Sequence, residues 1–148
     1  MREALEKLDR DRSFDVRDYD DTAKALDDEI SPAIDFLVAG HTHLDRALPR
    51  RNGGGVYYNS GTWARLIRIP GDVRRDSAKF AALYQVLKDG NMETLDAEKE
   101  LVSKPNTVVA IRAEPGGGAK GELLHVVPGV PGVHMLQAVP ETSFRRGG

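Results

Sequence analysis

The sequence predicts an α/β chain. Three observations carry that reading: an apolar run at residues 34–39 between Pro32 and Gly40, a strand-like run at 56–59, and a helical period at 77–88. Taken in order, residues 1–8 suit a short helix with Leu5 and Leu8 on one side, and the charged stretch 9–21 suits a surface loop. Residues 22–29 predict a second helix, capped by Asp21 or Thr22, with Ala25 and Leu26 facing inward. Residues 34–39 are apolar except for Asp35, which predicts a strand buried on both faces. LPRRNGGG, at 48–55, reads as a turn-rich loop. Strands are expected at 56–59 and 63–69, antiparallel neighbours across a turn at Ser60-Gly61.

Phe80, Leu83, Tyr84 and Leu87 recur at i, i+3, i+4 and i+7, one face of an amphipathic helix that Asp89-Gly90 would end. A short helix is expected within 92–101. Residues 107–112 and 122–127 predict a hairpin around the flexible tip EPGGGAKG. The Pro/Gly-rich VPGVPGV and the arginine-containing end, residues 128–148, predict a poorly ordered tail.

Composition narrows the chemistry. With 148 residues, 40% hydrophobic and 30% charged, the chain has the balance of a soluble globular domain. A formal charge of −2 disfavours nucleic-acid binding over the whole surface, leaving only scattered Arg50, Arg51, Arg74 and Arg75 for such a role. Cysteine is absent, so any metal would be held by imidazole, carboxylate or amide groups. MREALEKLDRDR has no apolar core and predicts no signal peptide, and no run is long enough to span a bilayer. The expected location is cytoplasmic.

Two of the four histidines, His41 and His43, stand directly behind the apolar run and Gly40. If the extended backbone persists, residues i and i+2 aim both imidazoles at one point, where a metal ion suits them. On spacing alone, His-x-His equally suits two surface or hydrogen-bonded histidines. Asp45 suits either a place behind the metal ligands or the surface, and the surface is preferred. Arg46 suits either a phosphate contact or a solvated loop beside Arg50 and Arg51. His125, in LLHVV, reads as a solvent-side strand residue and His134 as part of the tail.

GHTH at 40–43, followed by Asn59-Ser60-Gly61-Thr62, resembles the last sequence blocks of the calcineurin-like metallophosphoesterases. The likeness is strong over residues 34–69. It implies a C-terminal portion of an α/β/β/α sandwich with mixed sheets: residues 1–76 in that core, 77–127 as a helix-plus-hairpin extension and 128–148 as the tail. It also implies metal-dependent phosphoester hydrolysis at a site with two divalent ions, of manganese, iron or zinc, acted on by a metal-bridging hydroxide. His41 and His43 would be ligands of adjacent ions. Gly40 would keep the backbone clear, and Asn59, Ser60, Gly61 and Thr62 would wall the pocket. Arg46 would contact the phosphoester substrate.

The earlier family blocks, Asp-x-His, Gly-Asp and Gly-Asn-His-(Asp/Glu), have no match, and His41 is the first histidine. The resemblance therefore implies a fragment, whether a truncated gene product, an excised piece or one half whose missing N-terminal part is supplied by another polypeptide, with the isolated chain expected to be inactive. The alternative is a non-catalytic binding or scaffold module that keeps part of the fold.

Overall fold

The computed structural model describes residues 18–40, 42–97 and 101–147. The helix expected at 1–8 lies outside them, as does His41. The chain is mixed α/β and divides into two compact units. Among its described residues, the larger unit holds 18–40, 42–63 and 105–147; the smaller holds 64–97 and 101–104. No described helix is long and apolar enough to cross a membrane.

The first described helix of the larger unit is α1 (Asp21–Glu29), whose N-cap is Asp20 rather than the expected Asp21 or Thr22; its carboxylate accepts from the Ala23 amide at 2.8 Å. Ala23 and Asp27 are the buried positions, and Ala25 faces solvent, contrary to the expected inward face. The helix precedes a three-stranded sheet, ordered β1-β3-β2, of β1 (Phe36–Ala39), β2 (Asp45–Pro49) and β3 (Val56–Ser60). β1 runs parallel to β3 with Ala39 opposite Asn59, and β2 runs antiparallel with Asp45 opposite Ser60.

This arrangement corrects three expectations. β3, not the run at 34–39, is the central strand; β1 is an edge, and Val38 is half exposed. The antiparallel partner of β3 is β2, which includes part of the expected loop. Residues 63–69 contribute only β4 (Leu66–Ile67), which pairs with β5 (Val102–Ser103) in the smaller unit.

Alternation along β2 and β3 builds two cores. Leu48 and Tyr57 meet Tyr19 and Ala23 on the α1 side. Ala47, Val56 and Tyr58 meet Leu123 and Val109 on the other. Those last residues belong to a second sheet, of β6 (Thr107–Ala113), β7 (Ala119–Pro128), β8 (His134–Ala138) and β9 (Phe144–Arg146). The larger unit is thus layered helix, sheet, sheet.

The expected hairpin is β6–β7, in register from Thr107↔His125 to Ala113↔Ala119, and it packs on the first sheet rather than forming an extension with the helix at 77–89. Gly121 on β7 lies where a Cβ would come within 2.6 Å of the Phe36 ring and 2.8 Å of the Tyr58 ring. The stretch expected to be a poorly ordered tail instead covers the second edge of β7, β8 on its C-terminal half and β9 on its N-terminal half. Its prolines and glycines serve a turn, with Gly132 at φ +80° and Val133 donating to the Val130 carbonyl.

The smaller unit contains β4, β5, α2 (Gly71–Arg75), α3 (Ser77–Asp89) and α4 (Met92–Ala97). Asp76 caps α3 through the Ala78 and Lys79 amides, and Gly90 ends it in the left-handed region, as expected. Leu83 is its buried residue, while Tyr84 is nearly half exposed. Arg65 grips Asp96 of α4 with two bonds of 2.7 and 3.0 Å, and the guanidinium holds that carboxyl well below the usual range.

Candidate functional site

Because β1 and β3 are parallel, Gly40 and residues 61–62 leave the sheet at the same end, where residues 42–44 also lie, leading into β2. Carboxyl ends of parallel strands are where ligand crevices form in α/β sheets. The two sequence blocks meet there through Asn59, which is fully buried. Its Nδ2 donates to the Gly40 carbonyl at 3.2 Å and to Thr42 Oγ1 at 2.6 Å, and its Oδ1 accepts from the Gly61 amide at 2.8 Å. The Thr62 amide donates to the His43 carbonyl at 3.2 Å. Gly61 sits at φ +70°, and a Cβ there would fall 2.8 Å from the Asp45 amide nitrogen and 3.1 Å from the His43 carbonyl oxygen. Glycine is required on both counts.

A test of this junction is Asn59→Leu. It removes the amide, strands the Gly61 N–H and takes the donor from Thr42 Oγ1, while the Gly40 carbonyl keeps the Thr42 amide at 3.0 Å, so stability is expected to fall by about 1–3 kcal/mol, with faster amide exchange at Gly61. Unchanged denaturation and exchange would show that the loop is held some other way.

The expected site residues fare differently. His41 lies outside the described residues. His43 is exposed, on a bend at 42–44 rather than on an extended strand, so the i,i+2 argument for two convergent rings does not carry over. Gly40 has no described atom within 4 Å of where a Cβ would be; its use here is its carbonyl. Ser60 ends β3, half-buried opposite Asp45.

Arg46 is not a solvated loop residue. It is 2% exposed in β2 and paired with Asp20, the cap of α1. Arg50 is buried as well, in an ion pair with Asp27, and Arg51 lies over the Tyr19 ring at 4.3 Å. These two are held by partners in the fold and do not form a solvated basic patch.

Asp45 and His125 depart from their expected surface positions. Thr107, fully buried, places its hydroxyl oxygen 3.2 Å from Asp45 Oδ2 and 3.2 Å from His125 Nδ1, and His125 Nδ1 lies 2.9 Å from the Pro105 carbonyl oxygen. Trp63 Nε1 donates to the Thr107 carbonyl at 3.0 Å. The only sequence signal for this link was a histidine in an apolar strand, a common and unspecific feature. Two cavities, of about 320 and 260 Å³, open along β2, and neither is lined by His43 or by residues 59–62.

Among the described residues, no group of three or more His, Cys, Asp or Glu side chains is placed to hold a metal ion. A two-metal centre needs anionic donors to offset ion dehydration and the repulsion between the ions, and a neutral imidazole supplies no charge. The described residues do not by themselves fit the metal centre that the resemblance implies. No protein-family model, curated protein or solved structure matches the chain.

Proposed function

We propose that this chain is the C-terminal part of a calcineurin-like metallophosphoesterase, a metal-dependent phosphoester hydrolase, and that it contributes the final His-x-His segment, His41 and His43. One observation carries the reading: the side chain of Asn59 bonds both residues that flank His41, while the Thr62 amide bonds His43. The two motifs behind the resemblance are thus joined at the carboxyl ends of a parallel strand pair. The helix–sheet–sheet layering supports the finer sandwich assignment. Further donors, carboxylates above all, come from outside the described residues, and a second polypeptide bearing the earlier family blocks is the partner proposed for that role.

Paramagnetic Mn²⁺ titrated into the chain is expected to broaden the ring resonances of His41 and His43 before those of His125 and His134. His43→Ala should abolish the effect at His41. Uniform broadening, or none, would refute the reading. The isolated chain is expected not to hydrolyse an aryl phosphate with Mn²⁺; turnover that His43→Ala abolishes would place a complete centre within this chain.

A second reading, a non-catalytic binding or scaffold module, is favoured by the exposure of His43 and by the lack of a three-donor group among the described residues. Absence of selective broadening, together with stable association with a second polypeptide, would favour that reading.

A further inference from the structure

We propose that His125 is a positioning residue for the His43 strand end, acting through Thr107 and Asp45. The inference deepens the phosphoesterase reading, on which the use of a held His43 rests, but its test needs no metal.

β2 connects directly to the segment in question, since Asp45 is its first residue and follows His43 by two. Alternation puts Asp45 on the same side of β2 as Ala47, the side that faces the second sheet. His125 shares a face of β7 with Leu123, which packs on the first sheet, and is paired in register with Thr107 of β6. The second sheet therefore presents Thr107 and His125 toward the head of β2.

The proton assignments follow from the acceptors. The Pro105 carbonyl only accepts, so His125 Nδ1, 2.9 Å away, carries a hydrogen. The Thr107 hydroxyl then cannot donate to that nitrogen; its oxygen accepts a share of the same hydrogen at 3.2 Å. Its own proton has two acceptors in reach, the Pro105 carbonyl at 3.3 Å and Asp45 Oδ2 at 3.2 Å. Pro105 is already served by His125, and the carboxylate is the stronger acceptor, so the hydroxyl donates to Asp45. The chain runs in one direction, His125 to Thr107 to Asp45.

Asp45 is also where the motif junction is tightest. It faces Ser60 across the strand pair, and its amide nitrogen lies against Gly61. Fixing the Asp45 carboxylate from the second sheet fixes the point from which residues 42–44 bend away.

The test compares two variants of similar size by amide hydrogen exchange without metal. Asn places its side-chain amide near the position of Nδ1, and Gln places it near Nε2. His125→Gln is expected to raise exchange at Thr62, whose amide bonds the His43 carbonyl, by about fivefold, as for one weakened hydrogen bond. His125→Asn should restore wild-type protection. Val56, whose amide bonds the Asp35 carbonyl at the other end of the same sheet, should not change in either variant. Unchanged exchange at Thr62 in His125→Gln, an equal rise at Val56, or no rescue by His125→Asn would overturn the proposal. Mn²⁺ broadening of the wild-type His43 ring reports separately on the phosphoesterase reading.

Discussion

Replacing Asp27 by Ala is expected to lower the stability of the chain by about 3–5 kcal/mol, because it leaves a buried guanidinium without its counter-charge. Asp27 is 1% exposed and accepts four hydrogen bonds: Tyr19 OH at 2.5 Å, Arg50 Nε at 2.7 Å, and the amides of Arg51 at 2.7 Å and Asn52 at 3.1 Å. Arg50 in turn donates to the Ile30, Ser31 and Ile34 carbonyls, so one ion pair ties the end of α1 to the approach to β1 and the exit from β2. Chemical denaturation measures the loss. If the penalty comes from the orphaned charge, the pair Asp27→Leu with Arg50→Met should recover much of it. A loss below about 1 kcal/mol in Asp27→Ala would show that the pair contributes little.

The same carboxyl sets a pH dependence. Burial raises its pKa, but the bonds from Tyr19, Arg50, Asn52 and Arg51 outweigh that and hold it near about 2, against 3.8 ordinarily. A depressed folded-state pKa means stability fully present above 3.8 and lost as pH falls toward about 2, amounting to about 2 kcal/mol. Tyr19 has the opposite sign. Burial first, and then the bond to Asp27, pushes its phenol up to about 12, so its contribution is lost as pH rises from 10.0 through that value. Denaturation midpoints across pH should fall on both flanks, and Asp27→Asn should make the acid flank shallower, leaving the share carried by other depressed carboxyls such as Glu122.

Gly61→Ala is the second large effect, expected at about 2–4 kcal/mol from backbone collision together with left-handed strain. The added carbon would stand 2.8 Å from the Asp45 nitrogen and 3.2 Å from the Leu44 carbonyl carbon, so backbone rather than a flexible side chain must move. The loss should come with broken protection at Thr62, since the same collision pushes on the His43 carbonyl that the Thr62 amide holds. By contrast, Gly40→Ala should be nearly silent in stability, because the space around it is open among the described residues. Equal stability of Gly61→Ala and the parent chain would mean that the two motif segments are not packed as described.

Local chemistry alone determined α3 with its glycine terminus, the β6–β7 hairpin, and the neighbourhood of the GHTH and NSGT segments in the chain. Each is set by periodicity, turn residues or adjacency within a few positions. Only the tertiary structure decided that β2 is a strand, since Asp45 and Arg46 at its head look like loop residues until Thr107 and Asp20, 62 and 26 positions away, satisfy them. It also decided that Arg50 is buried by Asp27, that the Pro/Gly-rich end covers the free edge of β7, and that His125 belongs to the His43 end of the sheet. A charged or hydrogen-bonding side chain has the same sequence signature exposed or buried; the partner that makes burial tolerable is distant in sequence, and folding alone brings the two together.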